Sequence, residues 1–124
     1  MKYLILIYHN PASQEIWQGF SDDQRAEGLR YYAALVAELA ASGEMVASEA
    51  LADPSQGRRV AVHEGRTITS DGPFAEAKEH LAGFFLVECD SIERAVEHAA
   101  RIPEATLGLV EVRPVRDLDD LEAW

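Results

Sequence analysis

Two unbroken β-rich apolar runs, Tyr3-Leu4-Ile5-Leu6-Ile7-Tyr8 and Gly83-Phe84-Phe85-Leu86-Val87, constrain this chain more than anything else in it. A strand with one wet face alternates apolar with polar residues; a run without alternation is covered on both faces. Both runs therefore read as central strands. The weakly alternating stretches Met45 to Leu51 and Leu109 to Val115 supply edge strands for the same sheet.

Helical periods separate these strands. Ser21-Asp22-Asp23-Gln24 is a capping box, followed by Leu29, Tyr32, Ala33, Val36, Leu39 and Ala40 at helical spacing and by Gly43 as the stop. Asp90 and Ser91 compete to cap a second helix with Ile92, Ala95, Val96, Ala99 and Ile102 on one stripe, ended by Pro103; His98 is expected on its surface. Asn10-Pro11-Ala12-Ser13 breaks the first strand, and a loop carrying Trp17 and Phe20 is expected after it. Arg58 to His63 and Arg66 to Thr69 flank Glu64-Gly65 as a tight hairpin. A helical turn is expected over Ala75 to Leu81.

With residues 58–70 set aside as an inserted hairpin, the order is β-α-β-β-α-β, a ferredoxin-like α+β unit formed by one domain over residues 1–124. In that topology the first and third core strands are central, and these are the two unbroken runs. Two helices cover one face of a four-stranded sheet. The other face needs a cover, and a second copy of the sheet is the simplest one, so a homodimer is expected.

The charge narrows the function. The chain has 11 Lys+Arg against 22 Asp+Glu, a formal net charge of −11. Such a surface repels nucleic-acid phosphates and anionic membranes alike, so neither is an expected partner. Residues 116–124 form an acidic tail, with one arginine to four acids. No apolar stretch approaches the roughly 20 residues of a bilayer span, and the start lacks a secretory pattern, so a cytoplasmic protein is expected. The lone Cys89 forms no internal disulfide and no multi-cysteine metal knuckle.

The stretch Asp71-Gly72-Pro73-Phe74-Ala75-Glu76-Ala77-Lys78-Glu79 resembles the signature of the DGPF, or YCII-related, family, whose members typically read DGPFAETKE. The resemblance extends to Tyr3 to Tyr8, to Leu81 to Phe85, to Asp90-Ser91 with Ala95, and to Val110 to Val115, nearly the whole chain. Ala77 replaces the usual Thr and His80 the usual Gln. The resemblance implies a dimeric α+β barrel, in which two ferredoxin-like sheets face each other around clefts. It implies no settled reaction and no cofactor. It also implies an association with extracytoplasmic-function sigma factors.

Several residues are candidates for a site. Asp71 and Gly72 offer a carboxylate and an approachable backbone at a sheet end, or else only a rigid turn. Phe74 belongs with the aromatics that wall a pocket or fill a core. Lys78 is either a solvated partner of Glu76 and Glu79 or the cation that meets an anionic ligand. Glu111 and Arg113 share the face of the last strand opposite Val110 and Val112, which is the open sheet face if the valines pack on the helices. His9, at the end of the first strand, is the general-base candidate. Glu76 and His80 have metal-like spacing, but two ligands make a poor metal site and no metal is expected. Two classes of function stay open. One is a dimeric small-molecule-binding protein with a ligand on Asp71, Gly72, Phe74, Lys78, Glu111 and Arg113. The other is a cofactor-independent enzyme using Asp71 as acid or base, assisted by His9 or Lys78.

Overall fold

The computed structural model describes residues 1–74 and 77–123. Six strands and three helices follow in the order β1 (Lys2–His9), α1 (Pro11–Gln18), α2 (Asp22–Ala41), β2 (Met45–Ala50), β3 (Arg58–His63), β4 (Arg66–Asp71), β5 (His80–Glu88), α3 (Ile92–Ala99) and β6 (Val110–Pro114). Four of the strands form one antiparallel sheet in the order β2-β5-β1-β6, while β3 and β4 form a sheet of their own. The two unbroken apolar runs are thus the two central strands, the order expected for the split β-α-β unit.

One face of the four-stranded sheet carries the core. Tyr3, Ile5, Ile7, Phe85 and Val87 form a single buried cluster with Leu35 and Leu39 of α2 and with Ala95 and Ala99 of α3. Both helices therefore lie on the same face. Each such aliphatic or aromatic side chain, fully buried, stabilises the fold by roughly 1.5–3 kcal/mol. Val110 and Val112 pack against this cluster, so Glu111 and Arg113 point to the opposite face. By register, that face is also lined by Leu4 opposite Leu86 and by Leu6 opposite Phe84.

Local chemistry explains the element boundaries. The Ser21 hydroxyl accepts from the Gln24 N–H while the Gln24 side chain accepts from the Ser21 N–H, the reciprocal cap expected for α2. Glu64 and Gly65 turn the β3–β4 hairpin with φ of 50° and 77°. Gly83 is required by space: a Cβ there would stand 2.7 Å from the Glu49 carbonyl oxygen of β2. Next to it the β1–β5 register jumps from Ile7↔Gly83 to Tyr8↔Leu81, a bulge that leaves Ala82 unpaired.

Three expectations are corrected. The segment after β1 is a helix, α1, not a loop. Asn10 caps it, its side chain accepting from the Ser13 N–H, and Pro11 takes the first helical position, where its missing N–H costs nothing. The helical turn expected from Ala75 to Leu81 does not continue to its end, because His80 and Leu81 already belong to β5, paired with His9 and Tyr8; Ala75 and Glu76 lie outside the described residues. His98 is not on the surface. It is 3% exposed, since it sits three residues after Ala95 and four before Ile102 on the inward stripe, whereas Ile92 and Val96 are exposed at its edge.

Candidate functional site

Two cavities open on the surface. One, of about 210 Å³, is lined by Glu38, Leu39, Ser42, Glu44, Arg94, Glu97, His98 and Arg101. Its polar groups are spent on one another. Arg94 grips the Glu44 carboxylate with two N–H donors at 2.9 and 3.1 Å, the His98 ring Nε2 lies 3.0 Å from the same carboxylate, and Arg101 pairs with Glu38 at 2.6 Å. The Arg94 guanidinium, helped by His98, pulls the Glu44 carboxyl down to a pKa of about 2. This cavity is the seam of a clasp between the end of α2 and α3.

The other cavity, of about 390 Å³, lies within the range of small-molecule pockets. It is lined by Tyr8, Glu79, Gly108, Val110 and Glu111. Three neighbouring pieces of chain build it: the end of β1, the residues leading into β5, and the start of β6. The Tyr8 hydroxyl donates to Glu111 Oε1 at 3.1 Å across the open sheet face. Burial, and then the Glu111 carboxylate that accepts this hydrogen bond, push the Tyr8 pKa up, against a smaller opposing pull from Arg113. Tyr8 is thus a firm donor in a cleft whose charged lining is Glu79 and Glu111.

Beside this end of the sheet stands a group that the sequence did not single out. Glu104, in the turn before β6, accepts a hydrogen bond from the Tyr32 hydroxyl of α2. Burial raises its pKa, while the nearby His9 pulls weakly the other way. Neither spacing nor motif marks Glu104; only its partial burial does.

The expected site residues separate into two places. Glu111 is in the 390 Å³ cleft, joined by Tyr8 and Glu79. Arg113, also exposed, lies two residues further along the same strand face. His9 ends β1 exposed, and Lys78 is exposed just before Glu79. Asp71, Gly72 and Phe74 stand instead at the base of the hairpin. The Asp71 carboxylate is 3.8 Å from the Arg58 guanidinium across the strand pair, with both side chains well exposed. The Gly72 N–H donates to the Gly57 carbonyl at 3.2 Å. Phe74 lies under the Arg59 guanidinium, 4.0 Å from its ring centre. Glu76, expected beside His80 and Lys78, lies outside the described residues. Among those residues, no three of His, Cys, Asp and Glu converge as metal ligands. None of the helices described is long and apolar enough to cross a membrane.

An uncharacterized protein of Rhizobium meliloti (strain 1021) is 31% identical over 117 residues, covering 93% of this chain and 92% of that protein. Among solved structures, the chain is similar to 5-chloro-2-hydroxyhydroquinone dehydrochlorinase of Burkholderia phenoliruptrix, in complex with 2,5-dihydroxybenzoquinone. That similarity covers 96% of this chain and 97% of the other at 16% identity, with a TM-score of 0.46. A likeness of that size carries no functional weight. The family model of the YCII-related domain matches residues 1–119, and the chain belongs to the YCII-related domain family.

Proposed function

We propose that the protein is a dimeric small-molecule-binding protein whose ligand occupies the cleft between Tyr8, Glu79 and Glu111. The observation that supports this is the Tyr8–Glu111 hydrogen bond on an open sheet face, at the mouth of a cavity of about 390 Å³. Its charged lining is acidic, so the fitting ligand carries hydrogen-bond donors or a positive charge, with an apolar part against Val110. Facing sheets of two copies, in the manner of a dimeric α+β barrel, enclose that cleft and cover Leu4, Leu6, Phe84 and Leu86. A thermal-shift screen of small amines and polyols, repeated on Tyr8→Phe and Glu111→Gln, tests this reading. It expects stabilisation of the native protein by at least one such compound and loss of the effect in both variants; stabilisation that survives both contradicts it.

One observation favours a second reading, cofactor-independent acid/base catalysis. Glu104 combines a hydrogen bond from Tyr32 with a carboxyl raised by burial, and His9 stands close enough to influence it. A carboxyl whose pKa burial raises is better suited to general-acid work than an exposed one. Asp71 is exposed and paired with Arg58, so the acid/base role passes to Glu104 and His9, with Asp71 and Lys78 left to binding. If turnover is found in a metabolite screen, this reading expects Glu104→Gln to abolish kcat and Asp71→Asn to act on KM rather than on kcat. The sigma-factor association rests on the family resemblance alone, and co-purification from native cells tests it.

A further inference from the structure

The β3–β4 hairpin is held to the rest of the chain by little but its own ends. Every residue of both strands is exposed, and the two strands pair only with each other. A two-stranded hairpin in water is marginally stable on its own. This one nevertheless puts apolar side chains on both faces. Val60 and Val62 share one face and are 67% and 68% exposed; Ile68 lies on the other, opposite Ala61, and is 50% exposed. Polar neighbours share both faces, Thr67 and Thr69 across from the two valines and Arg59 and Ser70 beside Ala61 and Ile68, so each face pairs an apolar spot with hydrogen-bonding groups.

Its charge points to what covers it. The hairpin, residues 58–71, holds three arginines to two acids, Glu64 and Asp71, within a chain of net charge −11. The acidic surface that complements a basic, valine-bearing hairpin is the body of this same chain, and the hairpin does not pack on its own body. The Tyr8 end of the open sheet face offers the matching chemistry, with the exposed Leu81, paired with Tyr8, beside the acidic Tyr8–Glu111 cleft. Apolar contact and opposite charge act together when such surfaces meet, and charge also sets the register.

We infer that the hairpin is an arm that seats at the Tyr8 end of the open sheet face of a second copy, at the rim of the facing sheets, so that each ligand cleft is completed by the partner's hairpin. The Arg59–Phe74 pair then forms a wall of the partner's cleft and brings to it the cation that its own lining lacks. Asp71, Gly72 and Phe74 at the hairpin base and the Tyr8–Glu111 cleft, separate within one chain, become one composite site. This inference rests on the proposed dimeric binding reading.

The test combines two measurements on the full-length protein. Sedimentation compares the native chain with Val60→Glu/Val62→Glu, whose altered positions are exposed in the single chain and so spare its core. A photo-crosslinking residue at position 62, in a mixture of isotope-labelled and unlabelled protein, then reports what the arm touches. The expected results are a native dimer, association weakened by about tenfold or more toward monomer in the double variant, and mixed-label crosslinks to peptides containing Leu81–Leu86 or Val110–Arg113. A native dimer that the double variant leaves intact, or crosslinks confined to one label, overturns the arm while leaving the dimeric binder standing. A native protein that is monomeric at micromolar concentration overturns both.

Discussion

β1 and β3 each carry two β-branched residues at alternate positions, Ile5 and Ile7 against Val60 and Val62, and both pair antiparallel with a neighbour, yet Ile5 is fully buried and Val62 is mostly exposed. The difference is not in strand propensity, which is similar, but in what the chain places against each strand. β1 has β5 and β6 on its flanks and α2 and α3 on one face. β3 has only β4. The same kind of residue therefore contributes to folding in one sheet and to surface chemistry in the other, and substitutions separate the two roles.

The largest effect is expected in the central sheet. Ile5→Ala removes a fully buried side chain at the middle of the core and is predicted to destabilise by about 2–5 kcal/mol in chemical denaturation, whereas Val62→Ala changes the stability of the single chain by less than about 0.5 kcal/mol. Equal losses would erase the contrast. Gly83→Ala comes next. Its Cβ meets a backbone carbonyl rather than a flexible side chain, so β2 must shift, at a cost of about 1–3 kcal/mol, comparable to overpacking a core. An alanine there with native stability would show that the β2–β5 spacing is looser than described.

A smaller effect concerns acid. Glu44 has a folded pKa of about 2, first through Arg94 and then through His98, below the ordinary unfolded value of about 4.3. Its contribution to stability is therefore complete above the unfolded value and is lost as pH falls through about 2. Glu44→Gln is predicted to flatten that part of the acid-denaturation curve and to leave the hairpin's exposure unchanged. An unaltered acid profile would mean that the clasp between α2 and α3 carries little.

The central sheet was legible in the sequence because its two middle strands carry apolar residues on both faces, an unbroken run that Tyr3 to Tyr8 and Gly83 to Val87 show directly. The α2 capping box was legible for a similar reason, since its partners are local. What escaped notice depended on dual or distant roles. Asn10-Pro11 ends β1 and also starts α1, and reading it only as a breaker hid the helix. His98 satisfies its ring against Glu44, far away in sequence, so a polar residue on an inward stripe looked like surface. Of the site, Glu111 and Arg113 followed from strand alternation. Tyr8 did not, because an aromatic at the end of an apolar run reads as packing until its hydroxyl is seen to meet Glu111. Glu104 is marked by no motif at all.

The central claim is that the core face of the four-stranded sheet is covered by its own chain and the hairpin by another. Hydrogen exchange measured across a dilution series tests it most directly, with β1 and β5 as the internal reference. The account predicts that amides of Val60–Val62 and Thr67–Thr69 exchange about tenfold or more slowly at high protein concentration than at low, while those of Leu4–Ile7 and Phe84–Val87 remain strongly protected throughout. Hairpin exchange that is the same at every concentration would contradict it.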